Sequence, residues 1–161
     1  MSNEGRNQVV KWAVAAAVVI AIPAEGLMRR AYRDPVGVLT VCYGHTSEVQ
    51  RDKVYSIDEC KAKLDKDMLA AVTAVERCQP GLPAPVLAAF GDAAFNIGPR
   101  VACDTRNSTA ARLLQAGRLR EACEQLPKWD KARVMGVMVS LPGLSKRRAK
   151  ERDLCLSGVQ P

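Results

Sequence analysis

Aromatic residues are scarce in this chain: two Phe, two Trp and three Tyr, 4% of 161 residues. No run interleaves them with Lys or Arg, so the stacking platforms used by single-strand and RNA binders are missing and no nucleic-acid partner is expected. Histidine is reduced to His45, and the cysteines form no CxxC pair and lack histidine partners, which excludes the usual zinc spacings. Internal repeats, low-complexity tracts and long linkers are also lacking. With 48% apolar residues, this points to one folded domain of about 140 residues behind an apolar N-terminal segment.

Positive charge is plentiful. Twenty-four Lys and Arg against seventeen Asp and Glu give +7 at neutral pH, which favours a polyanionic partner such as bacterial cell wall or an anionic membrane surface. The six cysteines, Cys42, Cys60, Cys78, Cys103, Cys123 and Cys155, are even in number and spread along the chain. They read as three disulfides, the alternative being buried free thiols in a cytosolic protein. The N-terminus favours the first reading. From Trp12 to Ala24 the chain runs WAVAAAVVIAIPA without a charge, after a polar stretch carrying Arg6 and Lys11. By length this suits an export segment better than a full membrane span, and the same residues could also form a buried first helix.

Most of the remainder reads as helix. Ser56 and Glu59 have capping-box spacing ahead of a helix ending near Cys78, with Cys60, Leu64, Met68, Ala71 and Val75 on one face. After the breaker cluster QPGLPAP, VLAAFGDAAFNI predicts a central core helix stopped by Gly98-Pro99. Ser108 predicts a helix through Ala116, LREACEQL a short one, and Gly143 to Leu156 the last. The only β signal is VGVLTVCY at 36–43, following Asp34-Pro35, with Lys53 to Tyr55 as a third strand. The expected fold is therefore α+β and predominantly helical, with a small hairpin lobe joined to a larger helical lobe.

Two carboxylates sit in contrasting settings. Glu25 ends the apolar helix, where burial would favour its protonated form, whereas Asp34 lies in a polar turn and should stay ionised. Glycoside hydrolysis generally uses such a pair, one carboxyl to protonate the leaving oxygen and one to activate water or attack carbon. By spacing alone the pair is a weak signal.

The surrounding residues are more specific. Glu25-Gly26-Leu27, Tyr32-Arg33-Asp34, Gly37, Thr40 and Tyr43-Gly44-His45-Thr46 resemble the phage lysozymes, glycoside hydrolase family 24, which carry a Glu, an Asp nine positions on and a Thr six beyond that. The likeness continues in Ala94-Phe95-Asn96-Ile97-Gly98, in Ser108-Thr109 with Leu113-Leu114, and in Gly143-Leu144 with Arg147-Arg148 and Glu151. The resemblance implies a lysozyme-like fold and hydrolysis of the β-1,4 bond between N-acetylmuramic acid and N-acetylglucosamine in peptidoglycan, with inversion, causing host lysis. Glu25 would be the general acid, with Asp34 and Thr40 holding the water, and no metal or cofactor would be needed.

It also implies that His45 lies near the acid, holding the hairpin against the helix by hydrogen bonding rather than moving protons. An arginine, read as Arg148, would lie against Glu25. That pairing would favour ionised Glu25, in tension with an acid's need to keep its proton. Of the fifteen connectivities open to six cysteines, the resemblance favours Cys42–Cys60, Cys78–Cys103 and Cys123–Cys155, each joining neighbouring elements. One departure is RVMGVMVSL at 133–141, more apolar than the Gly-rich loop of many relatives; core is the expected role, a flap over the cleft the alternative.

Residues 1–24 are expected to be an uncleaved signal-arrest-release segment, by resemblance to phage endolysins of this kind, and 25–161 the catalytic domain. Val14, Val18, Val19, Ile20 and Ile22 contribute together only about −2 to −3 kcal/mol to insertion, a weak hold that allows release. The enzyme would wait at the periplasmic side of the host inner membrane, then enter the periplasm with this segment as its first helix. A monomer is expected. Competing readings are a lytic transglycosylase, against which Asp34 and Thr40 argue, and an inactive wall-binding module on the same scaffold.

Overall fold

A computed structural model describes residues 1–161. Helix α1 (Asn3–Glu25) leads into an antiparallel hairpin, β1 (Met28–Arg33) and β2 (Leu39–Cys42). Helices α2 (Ile57–Cys78), α3 (Ala84–Ile97), α4 (Arg100–Cys103), α5 (Thr109–Gln115) and α6 (Leu119–Cys123) follow. A 3-10 turn at Leu126–Trp129 then precedes a second hairpin, β3 (Lys131–Val134) and β4 (Val137–Ser140), and helix α7 (Pro142–Ser157) ends the fold.

The helix α3 is the core. Nine consecutive residues, Val86 to Ala94, are buried, and α1, α2 and α7 pack around it. Its start uses Pro85 in the first turn, where the missing N–H costs nothing. The capping box of α2 forms in full between Ser56 and Glu59, and α2 buries Cys60, Leu64, Met68, Val72 and Val75 at the three- and four-residue intervals of a helix facing one neighbour. Ser108 caps α5, accepting from Ala111 N.

Helix α1 packs into this domain through small residues. Ala13, Ala17 and Ala21 are fully buried at four-residue intervals, letting its backbone approach α3 and α2 closely. Near its N-terminus Arg6 forms an ion pair with Glu76 of α2 and donates to Leu82 O at 3.1 Å.

Three disulfides join Cys42 to Cys60, Cys78 to Cys103 and Cys123 to Cys155. They tie β2 to α2, the end of α2 to the end of α4, and α6 to α7.

The β structure departs from the sequence reading in three ways. The first hairpin begins at Met28, in a segment not read as strand, and the third strand at 53–55 is reduced to a single bridge between Val54 and Arg30. The stretch at 133–141 is not core. Most of it forms β3, β4 and their turn, with Val134, Val137, Met138 and Val139 exposed and Met135 fully so. The turn residues Met135 and Gly136 both have positive φ, +49° and +83°, the requirement of the tight two-residue turn that matches strand twist.

Candidate active site

Glu25 is the last residue of α1, and its side chain is 22% exposed. Arg147 of α7 donates from Nη1 to Glu25 Oε1 at 2.5 Å. The other oxygen faces the loop after β2, where a Cβ on Gly44 would sit 3.5 Å from Oε2. Gly44 has φ +76°, so a side chain there would be strained, while its Cβ would meet the carboxyl at ordinary contact distance. A cavity of about 440 Å³ opens beside Glu25, walled by Ile20 and Pro23 of α1, Asn96 of α3 and Leu144 of α7.

Asp34 and Thr40 sit on the first hairpin. Asp34 Oδ1 accepts from the N–H groups of Val36 and Val38 at 3.0 and 2.8 Å, bracing the turn, while Oδ2 has no protein partner. Thr40 is buried in β2 opposite Tyr32, and its hydroxyl donates to Val38 O at 3.0 Å. Val38 is thus the shared link, its N–H held by the carboxylate and its carbonyl by the hydroxyl. Neither Asp34 nor Thr40 lines the 440 Å³ cavity, which lies on the α7 side of Glu25. The structure brings Glu25, Gly44 and Arg147 together at one place and couples Asp34 to Thr40 at another on the same hairpin lobe.

His45 is buried, with Nδ1 2.6 Å from Asp67 Oδ2 of α2. Its backbone closes the turn, exchanging hydrogen bonds with Val41 at 2.8 and 2.9 Å. It therefore fastens the hairpin to α2, and its neighbour Gly44 is the residue that faces Glu25.

The arginine against Glu25 is Arg147, not Arg148. Adjacent positions on a helix point about 100° apart, and Arg148 turns instead to Asn96 Oδ1 at 2.9 Å and Glu151 Oε1 at 2.5 Å. Burial lowers the pKa of Arg148, against the pull of Glu151. Burial also works against the charge of Arg147, but hydrogen bonds and charge from Asp92 and Glu25 more than offset it, raising its pKa. Glu151 is pushed well above the usual carboxylate range by burial and by a hydrogen bond with Asp92. No group of three or more His, Cys, Asp or Glu side chains is arranged to hold a metal ion.

A model of the phage lysozyme family matches residues 23–151. The chain belongs to the phage lysozyme family. It is 36% identical over 152 residues to a SAR-endolysin of bacteriophage PS119, covering 90% of this chain and 87% of the relative. Its fold is similar to the active form of the P1 phage endolysin Lyz, at 29% identity and a TM-score of 0.75, covering 89% of this chain and 84% of the other. Against the secreted inactive form of the same P1 endolysin the TM-score is 0.57, at 24% identity, covering 89% and 94%. The chain is accordingly a glycoside hydrolase, a muramidase of the phage lysozyme type.

Two residues of this lysozyme's acidic and basic cluster escaped sequence reasoning. Arg147 was hidden by its neighbour in the basic run SKRRAKER, where nothing in the sequence separates two adjacent arginines. Asp92 had a visible signal: it is the single charge in the apolar run VLAAFGDAAFNI, and a charge at the centre of a buried helix needs a partner.

Proposed function

We propose that this lysozyme cleaves the muramic acid–glucosamine bond of peptidoglycan with inversion, Glu25 protonating the leaving oxygen while Asp34 and Thr40 hold the attacking water. The observation that carries the reading is the contrast between the two carboxyl groups. Glu25 is packed between Arg147 and Gly44; Asp34 is fixed in a solvent-facing turn, with Oδ2 open to receive a water. The two carboxyl groups thus sit in different places, one held against α7 and one in the turn of the first hairpin, a division that fits a pair working from opposite sides of a sugar. The hydroxyl of Thr40, coupled to Asp34 through Val38, would complete the water's cradle. Glu25→Gln keeps the shape but has no proton to give, so wall clearing, followed as loss of turbidity, should fall to background with the fold unchanged. Asp34→Asn and Thr40→Ala should also impair it. Native-rate clearing by Glu25→Gln would remove Glu25 from this role.

The same reading covers where the enzyme waits. Helix α1 is long and apolar enough to cross a membrane by length and composition, and SAR-endolysin is the name of the PS119 relative. The alanine stripe that seats α1 in the domain also makes it a weak membrane anchor. Because α1 ends in Glu25, a helix lodged in the host inner membrane would keep the acid out of the cleft, and release to the periplasm would deliver it. Fractionation of expressing cells tests this: full-length protein should pass from membrane to periplasm on depolarisation, and leucine in place of several α1 alanines should trap it. A mature chain starting near Glu25 would overturn the idea.

A further inference from the structure

We propose that Asp92 is a positioning residue for the acid: it grips Arg147 from behind, setting where the guanidinium meets Glu25 and opposing the positive charge delivered there. The inference rests on Glu25 being the general acid. A guanidinium is a rigid planar fork of five donors. Two sides of this fork are taken, Nε by Asp92 Oδ2 at 2.9 Å and Nη2 by Asp92 Oδ1 at 2.8 Å. Only Nη1 is left to reach Glu25 Oε1. The plane of Arg147 is therefore dictated from α3, through a pair whose side chains are 3% and 0% exposed, and Glu25 meets a donor already in place.

The electrostatic consequence addresses the tension between an acid and an adjacent arginine. A cation in contact favours the ionised carboxylate, while a general acid must carry its proton at working pH. An anion fixed on the far side of the same guanidinium opposes that pull, and in a buried site it does so at reduced screening. The other charges facing this place do not supply it. Lys146 and Lys150 of α7 line the same cavity and add positive charge. Glu151 approaches Arg147 Nε only at 3.8 Å, is itself engaged by Arg148, and is pushed toward its protonated form. Across the hairpin, His45 is occupied by Asp67 of α2, and α1 carries no charge between Lys11 and Glu25. Stability is a poor reason to bury such a pair, since well-packed apolar residues commonly do as well.

The test compares Asp92→Asn with the parent in a Glu151→Gln background, so that the neighbouring acid cannot take up the missing charge. Wall clearing is measured against pH, and the Glu25 carboxyl is followed by carbon-13 NMR, assigned by its loss in Glu25→Gln. Both the basic limb of the rate profile and the Glu25 titration should move to lower pH by about one unit, with roughly tenfold slower clearing on that limb. No movement, or movement to higher pH, would overturn the role. A moved titration with an unmoved rate profile would reject Glu25 as the acid and this role of Asp92 with it. Should Asp92→Asn not fold, Asp92→Asn with Arg147→Gln removes cation and anion together. The limb should then lie at lower pH than in Arg147→Gln alone, where the anion is left unopposed, and equal limbs count against the proposal.

Discussion

The two hairpins of this lysozyme are similar in size and opposite in attachment. Around β1–β2, Cys42 is bonded to Cys60 of α2, His45 to Asp67, and Arg29 exchanges hydrogen bonds with Tyr55, giving from Nε at 2.7 Å and receiving at its carbonyl at 2.9 Å. The hairpin β3–β4 is fastened only at its base. There Asp130 accepts from Leu141 N at 3.0 Å, Ser145 Oγ at 2.7 Å and Ser140 Oγ at 3.2 Å, while both strands lie largely in solvent. An isolated two-stranded hairpin is marginal in water. The hairpin that carries Asp34 and Thr40 has cross-links on several sides, which the proposed role of these two residues would require; the other has not.

The sharpest way to break this contrast is to remove the covalent tie. The Cys42–Cys60 bond spans 18 residues, and losing closure of a loop that size costs about 3 kcal/mol. Cys42→Ser with Cys60→Ser should lower stability by that order in denaturant unfolding. Its clearing rate should also drop at temperatures where the protein is still folded, because the hairpin carrying Asp34 and Thr40, the proposed water-holding pair, loosens. Cys123→Ser with Cys155→Ser is the comparison. It opens a 32-residue separation and should destabilise at least as much, but neither cysteine is on the first hairpin and Cys155 lies about two turns beyond Arg147 on α7, so the folded variant should keep its rate. Equal effects of the two pairs on the rate of folded enzyme would mean that the Cys42 bond does not brace the site.

Attachment also governed how legible each part was in the sequence. Helices announced themselves because their signals are local: Ser56 with Glu59 for α2, Ser108 for α5, Gly98-Pro99 at the stop of α3. The proposed site residues, Glu25 at the end of α1 and Asp34 and Thr40 on the first hairpin, were picked out through the family's spacing. What the sequence hid was decided by tertiary packing. Arg147 and Arg148 are chemically identical neighbours, and only the seating of α7 on α3 directs one to Asp92 and Glu25 and the other to Glu151. Met28 to Arg33 lacks strong strand alternation and is strand because β2 lies beside it. The run at 133–141 misled through its apolarity. Its informative feature was Met135-Gly136 set between Val134 and Val137, a turn signal, rather than the count of hydrophobic residues.

That last segment supplies the smallest expected effect. Val137 and Met138 are 63% and 53% exposed, so little apolar area leaves water when the hairpin forms, and polar replacement there forfeits little. Val137→Thr and Met138→Thr should each shift stability by no more than about 0.5 kcal/mol, as surface substitutions usually do. Threonine keeps the strand preference at both positions, so the hairpin's own register is not at issue. Val41→Thr in β2 is the matching change on the braced side. Val41 is fully buried in the core, its N–H and carbonyl are already paired with His45, and a new hydroxyl there would have to be buried at a cost of about 1–3 kcal/mol. Thermal unfolding of the three variants should therefore leave two near the parent and one clearly below it. A large drop for Val137→Thr would show that β3–β4 leans on the domain in solution more than its exposure allows, and the contrast between the hairpins would have to be given up.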